Sequence, residues 1–306
     1  MQHTHAVVAV AVTYHPDPVV LRQLVKATLP QVTKLVLIDN GSPPESLAEF
    51  KVERRIDVVM LGKNLGIAAA FNEGIRRAMA EGAEHVLLLD QDSIPEPGMV
   101  AELSDVMAQL KRQGRNVAVV GPRHYGTNTP ELSKFVTFGW FWFRRRPPSP
   151  GERWVRCDFL ISSGCLICAS AIQSIGLMEE ELFIDHVDTE WCLRAQSKGF
   201  EIYGATNARL QHSLGEYTTR IWFLRWRNVS QHKPFRYYYI IRNSVLLLLR
   251  PYVPSAWRRG ETLRLFLLVL FFGLIRSPRW KNFTMMWRGF MDGLKGITGS
   301  LEIFRQ

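Results

Sequence analysis

The sequence predicts an α/β protein, with a mostly parallel central sheet covered by helices and amphipathic helices at the C-terminal end. Three observations carry this expectation. Short β-branched apolar runs alternate with longer helical patterns through about the first 120 residues. A polar or acidic residue closes each run, at the strand ends where parallel sheets bind ligands. Beyond Arg220 the chain turns basic and aromatic, and its apolar stretches fall short of the ~20 residues a spanning helix needs.

Val7–Val12 is the first strand, and Pro16-Asp17-Pro18 opens a helix that runs to Thr28. Lys34–Ile38 is the second strand, stopped by the turn signal Asp39-Asn40-Gly41-Ser42. Asp57–Leu61 is the third. Gly66–Glu81 is a helix with Ile67, Ala70, Phe71, Ile75, Ala78 and Met79 on one face. His85–Leu89 is the fourth strand, followed by Asp90-Gln91-Asp92, a helix from Pro97 to Gln113 and a fifth strand over Val117–Val120. From about Thr127 the pattern changes. Phe135–Arg144 is aromatic and basic, and Pro147-Pro148-Ser149-Pro150-Gly151 breaks regular structure. Leu160–Ala169 resumes an apolar strand-like run through Ser162-Ser163-Gly164. A helix over Asp188–Lys198 stops at Gly199, and Phe200–Tyr203 and Ala208–His212 read as two short strands.

The 306 residues carry a net charge of +10, which points to an anionic partner: nucleic acid, a phosphate-bearing substrate or an acidic membrane. The charge is unevenly placed. Residues 220–306 hold 16 Lys and Arg against three acids, so the remaining 219 residues are almost neutral. In the tail the cations are interleaved with Trp, Tyr and long apolar runs rather than displayed on a polar face, which favours lipid over nucleic acid. Those apolar faces offer a homodimer contact as an alternative. Cys165 and Cys168 have CxxC spacing, but no second pair stands at zinc-finger distance, so the four cysteines read as buried small hydrophobes in a reducing cytoplasm. The apolar run Ala6–Val12 is too short for a signal sequence.

Asp90 and Asp92 follow a fully apolar strand. Side chains two apart on a strand share a face, so the pair suits one hard cation, Mg2+ or Mn2+, bridged to a diphosphate. Asp39 is placed to accept the imide N–H of a uracil or thymine, the other reading being an Asx turn with Ser42. Asn64-Leu65-Gly66 leads into a helix whose first N–H groups suit an anion, unless Asn64 is simply a cap. Asp185, Asp188 and Glu190 enter a helix together, more acid than the helix dipole asks for. A carboxylate there can take the proton of an attacking hydroxyl. His212, before Ser213-Leu214-Gly215, is either a core histidine or a contact to metal or diphosphate. No G-x-G-x-x-G follows the first strand and no P-loop is present, against dinucleotide oxidoreductases and P-loop NTPases.

Thr13-Tyr14-His15-Pro16, Ile38-Asp39-Asn40-Gly41-Ser42, Asn64-Leu65-Gly66-Ile67-Ala68, Asp90-Gln91-Asp92 and Phe183 through Arg194 occur in the order found in family-2 inverting glycosyltransferases. Together they resemble that family, and its rhamnosyltransferase branch in particular, over about the first 215 residues. The resemblance implies a GT-A fold, with a catalytic domain over 1–219, a donor half to about 125 and an acceptor half from 126; the basic, aromatic 220–306 stretch, by its own composition, is read as a membrane-associating helical region. It implies a divalent cation, a nucleoside-diphosphate sugar donor with dTDP-L-rhamnose first, and a lipid-linked or surface polysaccharide acceptor, as in O-antigen synthesis. Thr13, Tyr14, Asp39, Asn64, Gly66, Asp90 and Gln91 then fall on the donor, and Asp92, Asp90 and His212 on the metal. Asp188 takes the general-base position. Val187 stands where many relatives have Glu, and the acidity is shifted to Asp185 and Glu190 on either side. The enzyme is expected on the inner face of the cell membrane without nucleic acid. The competing readings are a UDP-sugar transferase of the same fold and a non-catalytic membrane-surface binder, with a sugar nucleotidyltransferase a distant third.

Overall fold

A strand buried on both faces needs an unbroken apolar run, and Val7–Thr13 (β1) is one, with every residue buried. Asp17 caps the next helix, its carboxylate accepting from the N–H groups of Val19 and Val20, so Pro18–Thr28 (α1) begins at a residue that has no N–H to lose. The elements that follow are Lys34–Asp39 (β2), Ile56–Met60 (β3), Ile67–Ala80 (α2), His85–Asp90 (β4), Ser93–Pro95 (β5), Met99–Arg112 (α3) and Val117–Tyr125 (β6). Then come Phe135–Phe138 (β7), Phe143–Arg146 (β8), Trp154–Cys157 (β9), Leu166–Cys168 (β10), Ala169–Ile175 (α4), Val187–Ser197 (α5) and Glu201–His212 (β11). The computed structural model describes residues 6–126, 131–212, 217–223 and 225–301.

The main sheet runs β3-β2-β1-β4-β10-β6-β11-β5, with β9 also on β11. The β3-β2-β1-β4 half is parallel, in the register Thr13↔Asp39 and Val12↔Asp90, so the ends of β1, β2 and β4 form one rim. Beyond β4 the sheet is mixed: β10 lies antiparallel to β4 and β6, and β5 and β9 antiparallel to β11. Leu35–Ile38 and Val86–Leu89 have no exposed surface, and neither have the Leu21 and Leu24 faces of α1 or Ala70 and Ala78 of α2.

Two expectations are corrected. Leu160–Ala169 forms a strand only over Leu166–Cys168, because Gly164 turns the chain at a left-handed φ of +77° and its N–H bonds Leu88 O at 2.7 Å. The two short strands after Gly199 are one strand, β11. Its register against β6 shifts between Gly204 and Arg209, and that irregularity is what interrupts the apolar pattern.

Of the described residues, 6–126, 131–137, 144–212 and 299–301 belong to one compact unit, and 138–143, 217–223 and 225–298 to a second. The second holds Tyr217–Phe223 (β12) paired with Arg225–Gln231 (β13), Pro234–Leu248 (α6), Ser255–Leu268 (α7), a π-helical stretch Val269–Ile275 and Arg279–Leu294 (α8). Its core is Tyr237, Ile240, Ile241, Val245, Phe272 and Met286. The α8 helix lies close on α6 because Gly289 and Gly293 have no side chain there: a Cβ at Gly289 would stand 2.4 Å from Tyr238 O. Among the described residues no helix is long and apolar enough to cross a membrane.

Candidate active site

The rim of the parallel half-sheet brings Thr13, Asp39 and Asp90 together. Thr13 Oγ1 donates to Asp39 Oδ1 at 3.1 Å, while Asp39 Oδ2 accepts from the N–H groups of Gly41 (3.0 Å) and Ser42 (2.7 Å). Asp39 is fully buried and forms the Asx turn of the second reading. Tyr14 is exposed, and its N–H donates to Gln91 Oε1 at 2.7 Å, tying the first rim loop to the acidic pair.

Asn64 closes the turn that leads into α2, whose N-cap is Gly66. The Asn64 Oδ1 accepts from Gly66 N at 3.0 Å and Leu65 N bonds Asn40 Oδ1 at 2.8 Å, while Ile67, the first residue of α2, gives its N–H to Phe183 O at 2.8 Å. Gly66 has φ of +91°, and a Cβ there would meet Phe183 O at 2.6 Å. The backbone before α5 is thus pressed directly onto the start of α2. Asn72 of α2 reinforces the junction, donating to Met178 O and Glu180 Oε1 and accepting from Met178 N.

Strand periodicity does not extend through the acidic pair. β4 ends at Asp90, a turn carries Gln91 and Asp92, and β5 then pairs with the end of β11, setting Ser93 opposite His212. The two carboxylates therefore flank the His212 ring instead of sharing a strand face. Asp92 Oδ1 lies 3.2 Å from Nδ1, and Asp90 Oδ2 lies 3.9 Å from Nε2. Burial opposes charge on this imidazole, but the hydrogen bond to Asp92 and the charges of Asp92 and Asp90 outweigh it and raise its pKa. Ser213-Leu214-Gly215, which follow, lie outside the described residues.

Three residues at this point had no role in the sequence reading. Ser163 Oγ donates to Asp90 Oδ2, and Ser93 Oγ accepts from Asp90 N at 3.2 Å. His124 is pushed down to about 4 by burial, so it is neutral and its Nε2–H donates to Ser163 O at 2.9 Å. The polar break Ser162-Ser163-Gly164 in an apolar run was the one signal available for Ser163.

The α5 helix supplies the remaining acids. Phe183, Asp185 and His186, just before it, have φ of 62°, 65° and 62°, conformations that side-chain-bearing residues adopt rarely and that cluster at functional sites. Asp188 Oδ1 accepts from Thr189 N at 2.7 Å. Burial pushes Asp188 up to about 6, the Thr189 hydrogen bond working against it and the charges of Asp90 and Asp185 adding to it. Glu190 is fully buried and held by both Nε (2.8 Å) and Nη2 (2.9 Å) of Arg194. Arg194 also donates to Ile175 O and Leu177 O, so this pair fixes α5 to the segment after α4.

Two carboxylates, an imidazole and nearby hydroxyls are a donor set that fits a hard divalent cation. The three side chains do not already surround one point, and among the described residues no group of three or more His, Cys, Asp or Glu does.

Residues 9–176 match the family model described as glycosyl transferase family 2. The dTDP-rhamnosyl transferase RfbF of Shigella flexneri is 30% identical over 297 residues, 95% of this chain and 96% of that protein. The galactofuranosyltransferase GlfT1 of Mycobacterium tuberculosis is 26% identical over 223 residues, 69% of this chain and 71% of its own. Among solved structures, GalNAc-T7 with UDP, GalNAc and Mn2+ superposes with a TM-score of 0.63 at 15% identity, over 97% of this chain and 57% of that one. S. aureus TarS 1-349 in complex with UDP-GlcNAc superposes with a TM-score of 0.59 at 15% identity, over 95% of this chain and 81% of that one. At such identities these two likenesses establish the GT-A fold.

Proposed function

Because the chain belongs to glycosyl transferase family 2 and is a glycosyltransferase, we propose that it moves L-rhamnose, with inversion, from dTDP-L-rhamnose to a hydroxyl of a saccharide or lipid-linked acceptor. The observation that carries the chemistry is the convergence of Asp90, Asp92 and His212 on one rim, with the half-buried Asp188 feeling the charge of Asp90. The donor reading is supported by similarity to the Shigella flexneri dTDP-rhamnosyl transferase across 95% of the chain.

In this reading Asp188 takes the proton of the acceptor hydroxyl. The hydroxyl oxygen bonds the anomeric carbon as the bond from that carbon to the diphosphate breaks. A carboxyl held at about 6 is ionised at neutral pH yet more basic than an ordinary aspartate. Glu190, engaged by Arg194, orients α5, and Asp185 acts through the charge it adds beside Asp188. Asp90, Asp92 and His212 would hold Mg2+ or Mn2+, which when bound neutralises charge on the departing diphosphate. Thr13, Tyr14 and Gln91 shape the donor end of the rim, Gly66 lets the two halves meet there, and Asp39 acts through the Asn40-Gly41-Ser42 loop that it anchors. The basic, aromatic 220–306 region brings the enzyme to the inner face of the cell membrane.

Thermal-shift and donor-hydrolysis measurements across dTDP- and UDP-sugars, with Mn2+, Mg2+ or EDTA, test this. Stabilisation and slow hydrolysis are expected with dTDP-L-rhamnose and cation together, and EDTA abolishes both. An equal response to UDP-sugars overturns the donor, and an undiminished response in EDTA overturns the cation.

A further inference from the structure

Turns between strands are ordinarily polar. The turn between β7 and β8 instead carries Trp140, Phe141 and Trp142, which are 67%, 61% and 41% exposed. Three successive large rings facing water mark a surface that meets an apolar partner. The turn is also held in place. Arg259 of α7 donates from Nε to Trp140 O at 2.7 Å, and its guanidinium lies 4.4 Å from the centroid of the Trp140 ring. Gly260 makes room for Phe143, whose ring would stand 3.0 Å from a Cβ at that position.

A cleft of about 550 Å³ opens between Phe141 and α7, lined also by Arg258, Arg259, Thr262, Leu263 and Phe266. Exposed Leu263, Phe266, Leu270 and Leu274 recur at steps of three and four residues, continuing the apolar line along the helix. Cations border it: residues 255–298 contain eight Lys and Arg against two acids, and one of the two, Glu261, is buried against Ser244 and Arg264. Arg258 has a buried Nε with no hydrogen-bond partner among the described residues. An apolar strip edged by an excess of cations complements an anionic lipid surface, where rings sit at the headgroup level and cations meet the lipid phosphates.

We infer that the Trp140-Phe141-Trp142 turn, pinned by Arg259, is a second membrane-inserting element that enters anionic bilayers together with the C-terminal helices. The inference rests on the reading that the 220–306 region meets a membrane. It adds to that region a piece from the middle of the chain, folded into the same compact unit. The rings enter the headgroup and upper acyl layer while Arg258 and Arg259 meet lipid phosphates.

The test is co-sedimentation of the full chain with vesicles of phosphatidylglycerol and phosphatidylcholine, or of phosphatidylcholine alone. Wild type is expected to prefer the anionic vesicles. The triple variant Trp140→Ser, Phe141→Ser, Trp142→Ser loses at least tenfold in affinity for them at unchanged melting temperature. The double variant Trp140→Phe, Trp142→Phe keeps its affinity but loses part of the tryptophan quenching by brominated lipid. Undiminished quenching in that variant overturns the inference, even if the triple variant does not fold. If Trp280→Ser with Trp287→Ser abolishes binding while the triple-serine variant binds as wild type, the turn is excluded and the membrane reading survives. Wild type that ignores anionic vesicles overturns both. A wild-type dimer that becomes monomeric in the triple variant, with vesicle binding unchanged, makes the turn a contact between copies and overturns the inference.

Discussion

Replacing Asp188 by Asn separates the chemistry of this carboxylate from its cost to the fold. In the folded protein the group titrates at about 6, against an ordinary 3.8, chiefly because burial penalises its charge. The folded state therefore holds a proton between those two values that the unfolded chain has released. Stability falls as pH rises from about 4 to about 6 and stays lowered above that. Two pH units at 1.36 kcal/mol each set the loss at about 3 kcal/mol above pH 6. Asn does not titrate, and its Oδ1 still accepts the hydrogen bond that Thr189 N gives Asp188 at 2.7 Å. Asp188→Asn is thus expected to be more stable than wild type by up to about 3 kcal/mol at pH 7.5 in EDTA, equal to it near pH 4, and inactive in sugar transfer. Urea denaturation at the two pH values, followed by tryptophan fluorescence, measures the first part, and a transfer assay the second. A variant no more stable than wild type at pH 7.5, or equally stabilised at pH 4, refutes the argument that the site stores unfavourable charge.

Three further outcomes are expected. kcat/KM falls tenfold per pH unit below about 6 as Asp188 protonates; Asp185→Asn moves that limb to lower pH, and a limb that stays in place argues against their coupling. Glu190→Ala leaves Arg194 without its carboxylate and destabilises the protein by about 3–5 kcal/mol in urea denaturation; a loss below about 1 kcal/mol would assign the pair no structural weight. Gly66→Ala strains a left-handed position facing Phe183 O and costs about 1–3 kcal/mol, with kcat reduced because α5 is displaced; unchanged stability shows that the backbone can yield there.

The parallel half of the fold was readable because its strands are buried on both faces and carry continuous apolar runs, as in Val7–Val12 and Val86–Leu89. Strand ends were readable for the same reason: Asp39 and Asp90 stand where such a run meets its first acid. Legibility fell beyond residue 126, where the sheet becomes mixed. The irregularity after Gly204 hid the continuity of β11, and Gly164 removed half of an apparent strand. Asp39 and Asn64 each carried two readings in the sequence, a donor contact and a local turn or cap. The hydrogen bonds that Asp39 and Asn64 accept from Gly41, Ser42 and Gly66 are visible only in the folded loops.

The amino-acid sequence by itself determined the α/β class, the order of the rim motifs, the candidate acids and the basic tail, because these follow from hydrophobic period and local charge. Tertiary structure decided which candidates meet. His212 reaches Asp92 only because β5 and β11 pair across 119 residues, setting Ser93 against His212. Asp188 is held at about 6 because burial removes water from its carboxyl. The aromatic turn at 140–142 joins α7 through Arg259, also 119 residues away. Such contacts depend on strand register, desolvation and chain reversal, which arise between distant segments and leave no periodic trace in either one.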